Sequence, residues 1–386
     1  MLGWLNHNIV YLGLVSLFSD FGSEMATSVL PAFLVSLGAS ASVLGIIEGI
    51  ANASNSFISI FAGYMSDYTQ KRKPFAAFGY LIAALGVCLL SLANSISGVL
   101  FGRIITRMGK GIREPARNAL LVSFAQPNSY GKVFGFHRMM DNIGAIIGPL
   151  AALILIKYIS FSFLFLIAFI PVFVSFLIIV SAVKERFLPQ QIRYFKMKHF
   201  FELPSSFKKY LIAVGVFSLG NCAASLLILR SMDILKPIVG IAYANWYSIF
   251  FYILFNTCYA FFSYPVGHLA DNVGKKKILF CGYLITVFSL IGFALNYVAL
   301  GYFVILFIIT GLAYAMVDGI QRAFAAELMP YHVQGTGYGL LAAIMGLGSL
   351  FANTMVGVVW TYHSPALGFG LAALFCTIGA FCLMKI

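Results

Sequence analysis

The sequence predicts an all-α membrane protein with about twelve transmembrane helices, and three observations support this fold class. Hydrophobic residues make up 61% of the 386 residues and charged residues only 10%, whereas soluble domains carry roughly 25% charged residues. Apolar segments of about twenty residues or more follow one another along the chain, with short polar breaks between them. One longer polar segment, 184–207, divides them into two sets of six. We therefore expect two six-helix bundles, at 1–183 and 208–386, joined by a linker.

Each predicted span is a stretch of apolar residues long enough to cross the hydrocarbon layer, which takes about 20 helical residues. The spans are 8–37, 41–66, 74–94, 97–124, 132–157, 161–183, 208–232, 240–268, 278–297, 301–327, 335–361 and 365–385. Pro115 should end or kink the fourth span, because proline lacks a backbone N–H and its ring clashes with the preceding turn. Arg113, Glu114 and Arg117 would then lie at the cytoplasmic surface.

The chain carries 25 Lys and Arg residues against 12 Asp and Glu, a formal net charge of +13. In a soluble protein this excess would suggest a nucleic-acid partner. In a membrane protein it indicates basic cytoplasmic loops, and the basic clusters 71–73, 184–209 and 275–277 fall on one side of the predicted topology. We therefore predict that both termini are cytoplasmic. The expected partner is a lipid bilayer and not nucleic acid, and we expect a monomer.

The sequence offers no motif for a cofactor or for catalysis. The six cysteines lie in apolar runs without a C-x-x-C pair, and no His/Cys cluster has metal-ligand spacing. Residues 109–111 read GKG, but glycine and not Ser or Thr follows the lysine, so this is not a phosphate-binding loop. No serine has a His/Asp arrangement that would make it a nucleophile. The sequence therefore predicts neither an enzyme nor a bound metal or cofactor.

The two predicted bundles share an internal repeat. GYMSDYTQKRK begins at Gly63 and GHLADNVGKKK begins at Gly267, so that Asp67 and Asp271 stand 204 positions apart, as the two glycines do. Further pairs at the same offset are Gly131 with Gly335, Gly135 with Gly339 and Gly144 with Gly348. Two halves of the same topology are the parallel-repeat arrangement of many secondary transporters.

The pattern G-x-x-x-D-x-x-x-[KR]-[KR]-[KR], after the second span and again after the eighth, resembles the signature loop of the major facilitator superfamily. SDFGSEM (19–25), RMGKGIREPAR (107–117) and GKVFGFHRMMDNIGAIIGP (131–149) resemble a set of bacterial inner-membrane members, a few of which are associated with siderophore movement. The resemblance implies two six-helix bundles related by pseudo-two-fold symmetry, with alternating access to a midplane cavity. It also implies a cytoplasmic gate, formed by Gly63, Asp67, Arg72, Arg113, Glu114, Arg117, Gly267 and Asp271.

Ionisable residues at membrane depth are functional candidates, because a charge in the hydrocarbon layer is costly. The offset of 204 gives the residue that the second bundle places at each equivalent point. Asp20 corresponds to Ala224 and Arg103 to Phe307, so the fold can be built without these charges. The predicted proton-coupling residues are Asp20, Glu24, Glu48, Asp141 and His137. The predicted substrate-binding residues of the first bundle are Arg103, Arg107, Lys110, Arg138 and Asn52.

Helical spacing places these charges around a shared cavity. Asp20 and Glu24, four residues apart, lie on one face of the first span. At a rise of 1.5 Å per residue, Asp20 reaches a depth similar to that of Arg107 in the fourth span, and Glu24 a depth similar to that of Arg103. We expect ion pairs of Asp20, Glu24 and Asp141 with Arg103, Arg107 and Arg138. Two interpretations remain open: a buried network that only holds the helices together, or a site in which some members bind substrate and others carry the coupling proton.

The second bundle contributes mainly neutral polar and aromatic groups, of which Asn221, Tyr252, Asn256 and Tyr314 are predicted to line the opposite wall. The guanidinium groups favour an anionic small molecule, because the planar Arg fork matches carboxylates and phosphates. The predicted cargo is carboxylate-rich or siderophore-like, moved with coupling to protons. Efflux of amphipathic drugs is the alternative within transport, which a hydrophobic cavity with one exposed acid would favour. A membrane-embedded enzyme or a sensor is the alternative outside transport.

Overall fold

The computed structural model describes residues 5–39, 41–156, 158–185 and 203–386. Within these ranges every regular element is a helix, which confirms the all-α prediction. The α-helices are α1 (His7–Ser36), α2 (Ala41–Thr69), α3 (Arg72–Ser91), α4 (Ile96–Phe124), α5 (Tyr130–Leu155), α6 (Phe161–Ser181), α7 (Ser205–Ser218), α8 (Ala224–Val273), α9 (Lys275–Ala294), α10 (Leu300–Leu328), α11 (Gln334–Tyr362) and α12 (Pro365–Met384). We call α1–α6 the first half and α7–α12 the second half. Most of the predicted linker 184–207 lies outside the described residues.

Eight helices in the described ranges are long and apolar enough to cross a membrane. The helices α3, α9 and α12 have 20 residues each and α6 has 21, which is the length that about 30 Å of hydrocarbon requires. With 29 residues α4 is also long enough, but it is not among the eight. RIITRMGKGIREPAR, residues 103–117, lies within α4 and carries the charges that lower its hydropathy.

Pro115 does not end the fourth helix, which was one of the two outcomes that the sequence predicted for it. The helix α4 runs from Ile96 to Phe124 with Pro115 inside it, and residues 115–124 are buried against neighbouring helices. A proline inside a membrane helix is tolerated because packing and nearby polar groups compensate for the lost backbone hydrogen bond. Residues 113–117 consequently stay in the interior of the protein.

The seventh predicted span, 208–232, is not one continuous helix. The helix α7 ends at Ser218 and α8 begins at Ala224. The helix α8 then continues through a bend at Gly240, where φ is 78°, into the predicted eighth span. Glycine suits this bend because it has no Cβ to clash at positive φ.

Side chains of the second half satisfy backbone groups that the break leaves without helical partners. The Asn353 Oδ1 accepts a hydrogen bond from the Ala223 N–H at 2.7 Å. The Tyr314 hydroxyl donates to the carbonyl oxygen of Cys222 at 3.0 Å. Irregular backbone at membrane depth is stable only where such partners exist, so these two side chains hold the break in place.

The two halves meet through glycines at one end of the molecule. The helix α2 packs against α11, and α5 packs against α8. A Cβ on Gly63 would overlap the carbonyl oxygen of Gly335, and a Cβ on Gly267 would overlap that of Gly131. Small residues allow such a close approach of two backbones. The end that carries the loops after α2 and α8 is therefore closed in this structure, and we call it the closed end.

Candidate functional site

Asp67 and Asp271 each bind the start of a helix in the opposite half. Asp67 accepts hydrogen bonds from the backbone N–H of Gly335 at 2.9 Å and of the next residue at 2.5 Å, at the start of α11. Asp271 accepts from the N–H of Gly131 and of the next residue, both at 2.8 Å, at the start of α5. The positive end of the helix dipole favours a carboxylate there. Two equivalent contacts therefore hold the closed end together.

A base accompanies each of these aspartates. Arg72 lies 3.4 Å from Asp67 and donates to the carbonyl oxygen of Tyr331, in the second half, at 2.6 Å. Lys275 lies 2.9 Å from Asp271 and 2.6 Å from a carboxylate on α10. The contact of Arg72 crosses between the halves. Both ion pairs of Lys275 stay within the second half, but its ammonium nitrogen also lies 5.9 Å from the centroid of the Tyr130 ring in the first half. A base beside each aspartate thus reaches the opposite half, Arg72 by a hydrogen bond and Lys275 over an aromatic ring.

A charged pocket lies inside the first half, between α1, α3 and α4. It is lined by Asp20, Ser23, Glu24, Thr27, Ala83, Arg103, Thr106, Arg107, Lys110 and Arg113. Its free volume of about 20 Å³ is room for roughly one water molecule. The structure therefore brings two predicted proton-coupling acids and three predicted substrate-binding bases into one pocket.

The charged groups of this pocket contact one another directly. Arg103 is only 2% exposed and donates to the Thr27 hydroxyl at 3.2 Å. Asp20 forms an ion pair with Arg113 at 3.7 Å. Lys110 lies 3.8 Å from Glu114, one turn further along α4. The contacts join α1 to α4, as the helical spacing predicted, but Arg113 is a partner of Asp20 that the sequence analysis had assigned to the gate.

Arg113, Glu114 and Arg117 do not lie at the cytoplasmic surface, which corrects the prediction from the sequence. Arg113 and Arg117 are each 2% exposed. The Arg113 guanidinium lies over the ring of Tyr80, 4.4 Å from its centroid, and Arg117 donates to the Ser16 hydroxyl at 3.3 Å. Glu114 is 4.0 Å from Arg117. The reason is that α4 continues past its proline, which keeps these side chains among the helices of the first half.

Asp141 of α5 is held by three neighbouring side chains. It accepts a hydrogen bond from the Ser16 hydroxyl. It also forms an ion pair with Arg138 at 2.7 Å, and His137 Nδ1 lies 3.5 Å away. Asp141 is 4% exposed and His137 is 1% exposed. Asp141 and Arg138 thus form one of the ion pairs expected from the sequence.

Asp318 and Arg322 on α10 belong to the same network, although neither was among the site residues predicted from the sequence. Arg138 Nε lies 3.1 Å from Asp318, so this ion pair joins the two halves. The Tyr259 hydroxyl donates to Asp318 at 2.5 Å, and Arg322 pairs with Asp318 from the next turn of α10. Charges at membrane depth are therefore not confined to the first half. The offset of 204 could have revealed Asp318, because it connects Asp318 with Glu114.

A larger apolar cavity of about 410 Å³ lies between the two halves. Its walls come from α1, α5 and α8: Glu24, Thr27, Ser28, Val29, Ala145, Ile146, Pro149, Leu150, Ala152, Leu153, Ile156, Ile228, Tyr252, Ile253 and Asn256. Tyr252 and Asn256 had been predicted to line such a wall. Glu24 and Thr27 line both this cavity and the charged pocket. The two spaces therefore meet at α1.

The other predicted site residues lie elsewhere. Asn221 and Tyr314 line a separate cavity of about 10 Å³ within the second half. Asn52 is exposed and lines none of these three cavities. The side chain of Glu48 lies outside the described part of the structure. The structure thus concentrates the predicted site at α1, α4, α5 and α8.

Comparison with known proteins identifies relatives along the whole chain. The sequence matches the family described as Major Facilitator Superfamily over residues 12–254 and 212–386. It is 33% identical over 384 residues to an uncharacterized MFS-type transporter of Methanocaldococcus jannaschii, covering 99% of this chain and 95% of that protein. A shorter match, 30% identical over 126 residues, covers 33% of this chain and 31% of the multidrug resistance protein MdtH of Photorhabdus laumondii.

Solved structures share the fold at low sequence identity. The human organic anion transporter MFSD10 superposes with a TM-score of 0.78 at 12% identity, over 98% of this chain and 99% of that chain. The transporter FucP in its outward conformation superposes with a TM-score of 0.76 at 15% identity, over 98% of both chains. At such identities the likeness shows the fold alone. Together with the family match along the sequence, it shows that the chain is a membrane transporter that belongs to the major facilitator superfamily.

Proposed function

We propose that this chain is a proton-driven secondary transporter whose cargo is an amphipathic organic acid. The observation that carries the proposal is the junction at Glu24 and Thr27, where the charged pocket opens beside the apolar cavity. A cargo with an acidic head and an apolar body would use both spaces, with the charged pocket opening further than the room for one water that it has in this structure. We further propose that the protein acts as a monomer in the cytoplasmic membrane, with both termini in the cytoplasm and the closed end facing it.

The charged pocket favours a negatively charged head group. Four bases line it, Arg103, Arg107, Lys110 and Arg113, against two acids. Arg113 Nε and Nη1 are buried without an acceptor among the described residues, and buried donors are stable only when they find one. The planar guanidinium fork suits carboxylate, sulfonate or phosphate oxygens. An acidic head group would therefore supply what the pocket lacks.

The apolar cavity favours a hydrophobic body on the same molecule. Ile146, Leu150 and Leu153 of α5 face Ile228 and Ile253 of α8 across it. Such walls offer few partners for several carboxylates or for a polar siderophore, and an unpaired buried charge is costly. We therefore replace the carboxylate-rich cargo predicted from the sequence with an amphipathic acid that has one charged head.

Glu24 is our first choice for the residue that carries the coupling proton. It faces both spaces, so a negatively charged head group must pass close to it. Like charges repel in a medium of low dielectric constant, so the cargo and the ionised Glu24 would compete for the pocket. Asp141 and Asp318 are each held by several partners and are better suited to a structural role. Asp20 is the second candidate for proton transfer.

The test uses purified protein in lipid nanodiscs and proteoliposomes. Decyl sulfonate is the probe, because its head group stays ionised and it crosses lipid slowly; decyltrimethylammonium and decyl maltoside are the cationic and neutral controls. We expect decyl sulfonate alone to raise Tm and to move with an imposed pH gradient. The double variant Arg103→Ala, Arg107→Ala should abolish both effects. Binding of decyl sulfonate that survives in this double variant would refute the proposed site.

The coupling role of Glu24 is tested by Glu24→Gln in the same flux assay. We expect the variant to exchange labelled for unlabelled decyl sulfonate but to lose acceleration by the pH gradient. Asp233→Asn is the matched control, because Asp233 is an exposed carboxylate of α8 outside both spaces. If the pH gradient still accelerated decyl sulfonate exchange by Glu24→Gln as much as by the wild type, another residue would carry the coupling proton.

Efflux of cationic amphipathic compounds is the second candidate function. It is favoured by the apolar walls, in which Glu24 is the one acid among the described residues that line the cavity, and by the partial likeness to a multidrug resistance protein. Ethidium transport distinguishes the two functions. Cation efflux would need the Glu24 carboxylate and would not need Arg103, whereas transport of an organic acid needs Arg103.

A further inference from the structure

We propose that the cargo is a single-chain amphiphile dissolved in the membrane, and that it enters the apolar cavity sideways from the lipid, between α5 and α8. This inference rests on the proposed function, since the acidic head group would still bind in the charged pocket. It adds a route to that function and narrows the class of cargo.

The helices α5 and α8 are in close contact at one end and separated at the other. At the closed end Gly131 packs against Gly267, and a Cβ on Gly135 would overlap the backbone of Ser263. Further along, residues 145–156 of α5 and 252–256 of α8 line the apolar cavity. The two helices therefore diverge away from the closed end, and the cavity lies between them.

The wall of the cavity on α5 continues onto the outer surface of the protein. Leu150 lines the cavity, while Ile154, four residues later and so on the same helix face, is 64% exposed. Leu153 also lines the cavity and is 53% exposed. One face of α5 thus leads from the cavity to the surface that contacts the acyl chains.

The wall on α8 shows the same continuity. Ile253 lines the cavity. Phe250, three residues earlier and on the same side of the helix, is 39% exposed, and Thr257, four residues later, is exposed as well. Cavity-lining residues of both helices therefore stand next to exposed residues, and we assign this continuity to a lateral opening toward the lipid.

The apolar character of this opening decides which molecules can use it. An alkyl chain that moves from lipid into the cavity exchanges one apolar environment for another, so it gains little from the hydrophobic effect. Recognition must then come from the head group, at Arg103, Arg107 and Lys110. A cavity of about 410 Å³ suits one alkyl chain better than the two of a phospholipid. A single-chain amphiphile with an acidic head meets both conditions.

The opening can be blocked without touching the charged pocket. Leu150→Trp and Ile253→Trp would narrow it from α5 and from α8, and Ile170→Trp is the matched control, at an isoleucine of α6 that is 56% exposed and lines none of the described cavities. The probes are hexadecyl sulfonate, which partitions into the bilayer, and hexyl sulfonate, which stays in water. Initial binding rates are measured in nanodiscs. We expect both blocking variants to slow hexadecyl sulfonate at least about tenfold and to leave hexyl sulfonate and the control unchanged.

A second measurement guards against misfolding of the tryptophan variants. Leu150→Cys is purified, and a bulky thiol reagent is attached only after folding, with labelled wild-type protein as the control for the native cysteines. Unchanged hexadecyl sulfonate binding after labelling, or equal slowing of both probes, would overturn the lateral route. If Arg103→Ala with Arg107→Ala still abolishes binding in that case, the proposed function survives. Binding that persists in this double variant would instead refute the proposed function.

Discussion

The two halves are equivalent at the closed end of this protein but not in its membrane interior. At the closed end the halves are equivalent: Asp67 binds the start of α11 and Asp271 binds the start of α5 through the same pair of backbone contacts. At membrane depth the equivalence is lost, because Phe307 stands where the first half has Arg103.

This difference separates the scaffold from the site. A contact that both halves repeat joins the halves to each other, since each copy binds the equivalent element of the opposite half. A charge that only one half carries is not required to fold a half, because the other half folds without it, although such a charge can still join the halves, as Arg138 does. Glu114 and Asp318, which occupy equivalent positions in the two halves, are an intermediate case between scaffold and site. Both halves carry an acid there, and Asp318 forms the ion pair with Arg138 that joins the halves. The interior charges therefore include a structural group as well as the proposed cargo site.

The largest expected effect is on the ion pair that joins the halves inside the membrane. Arg138→Leu removes the base that Asp141 and Asp318 share. Asp318 keeps its ion pair with Arg322, whereas Asp141 is left with Ser16 and a histidine, and an uncompensated buried charge costs about 3–5 kcal/mol. We expect a clear drop in Tm, measured by circular dichroism in detergent. Adding Asp141→Asn to this variant should restore part of the loss, because it removes the carboxylate left without a base. An unchanged Tm in Arg138→Leu would mean that this network does not hold the halves together.

The equivalence of the closed end is tested by comparing Asp67→Asn with Asp271→Asn. Each change weakens charge-assisted hydrogen bonds worth about 1.5–3 kcal/mol, so the helix start that each aspartate binds should open more often. Amide hydrogen exchange followed by mass spectrometry reads this locally. Faster exchange is expected at residues 334–339 for Asp67→Asn and at residues 130–135 for Asp271→Asn. Faster amide exchange in only one of the two variants would mean that the two aspartate contacts of the closed end are not equivalent.

A smaller effect is expected at the break between α7 and α8, which has no counterpart in the first half. The equivalent residues 15–19 lie inside the continuous α1. Tyr314→Phe removes the donor to the carbonyl oxygen of Cys222, at a cost of about 0.5–1.5 kcal/mol. Tyr158→Phe, which changes a tyrosine that is 80% exposed, is the control. If the two variants lost equal stability, the hydroxyl of Tyr314 would not support the break.

The sequence predicted the features that local pattern determines. Hydropathy located the spans, because a run of about twenty apolar residues is typical of a transmembrane helix. The repeat located Asp67 and Asp271, and helical spacing brought Asp20 and Glu24 to the basic face of α4. These inferences need only the periods of the helix and of the repeat.

Features that depend on tertiary packing could not be predicted in this way. The helix α4 continues through Pro115 because neighbouring helices surround it. Local sequence patterns carry no information about this packing. The ion pair of Arg138 with Asp318 joins residues 180 positions apart. The apolar cavity exists only because α5 and α8 diverge. Its presence changed the expected cargo from a carboxylate-rich molecule to an amphipathic acid.

The central claim is that the charges that line the charged pocket and occur only in the first half serve the cargo and not the fold. Arg103→Phe tests it most directly, because it installs the residue that the second half has at the equivalent position. Three bases remain in the pocket for its two acids, so the acids stay compensated. We predict a nearly unchanged Tm with decyl sulfonate affinity reduced roughly 30-fold or more, the equivalent of about 2 kcal/mol. A large loss of Tm with unchanged affinity in the folded fraction would contradict the claim and make Arg103 a structural residue.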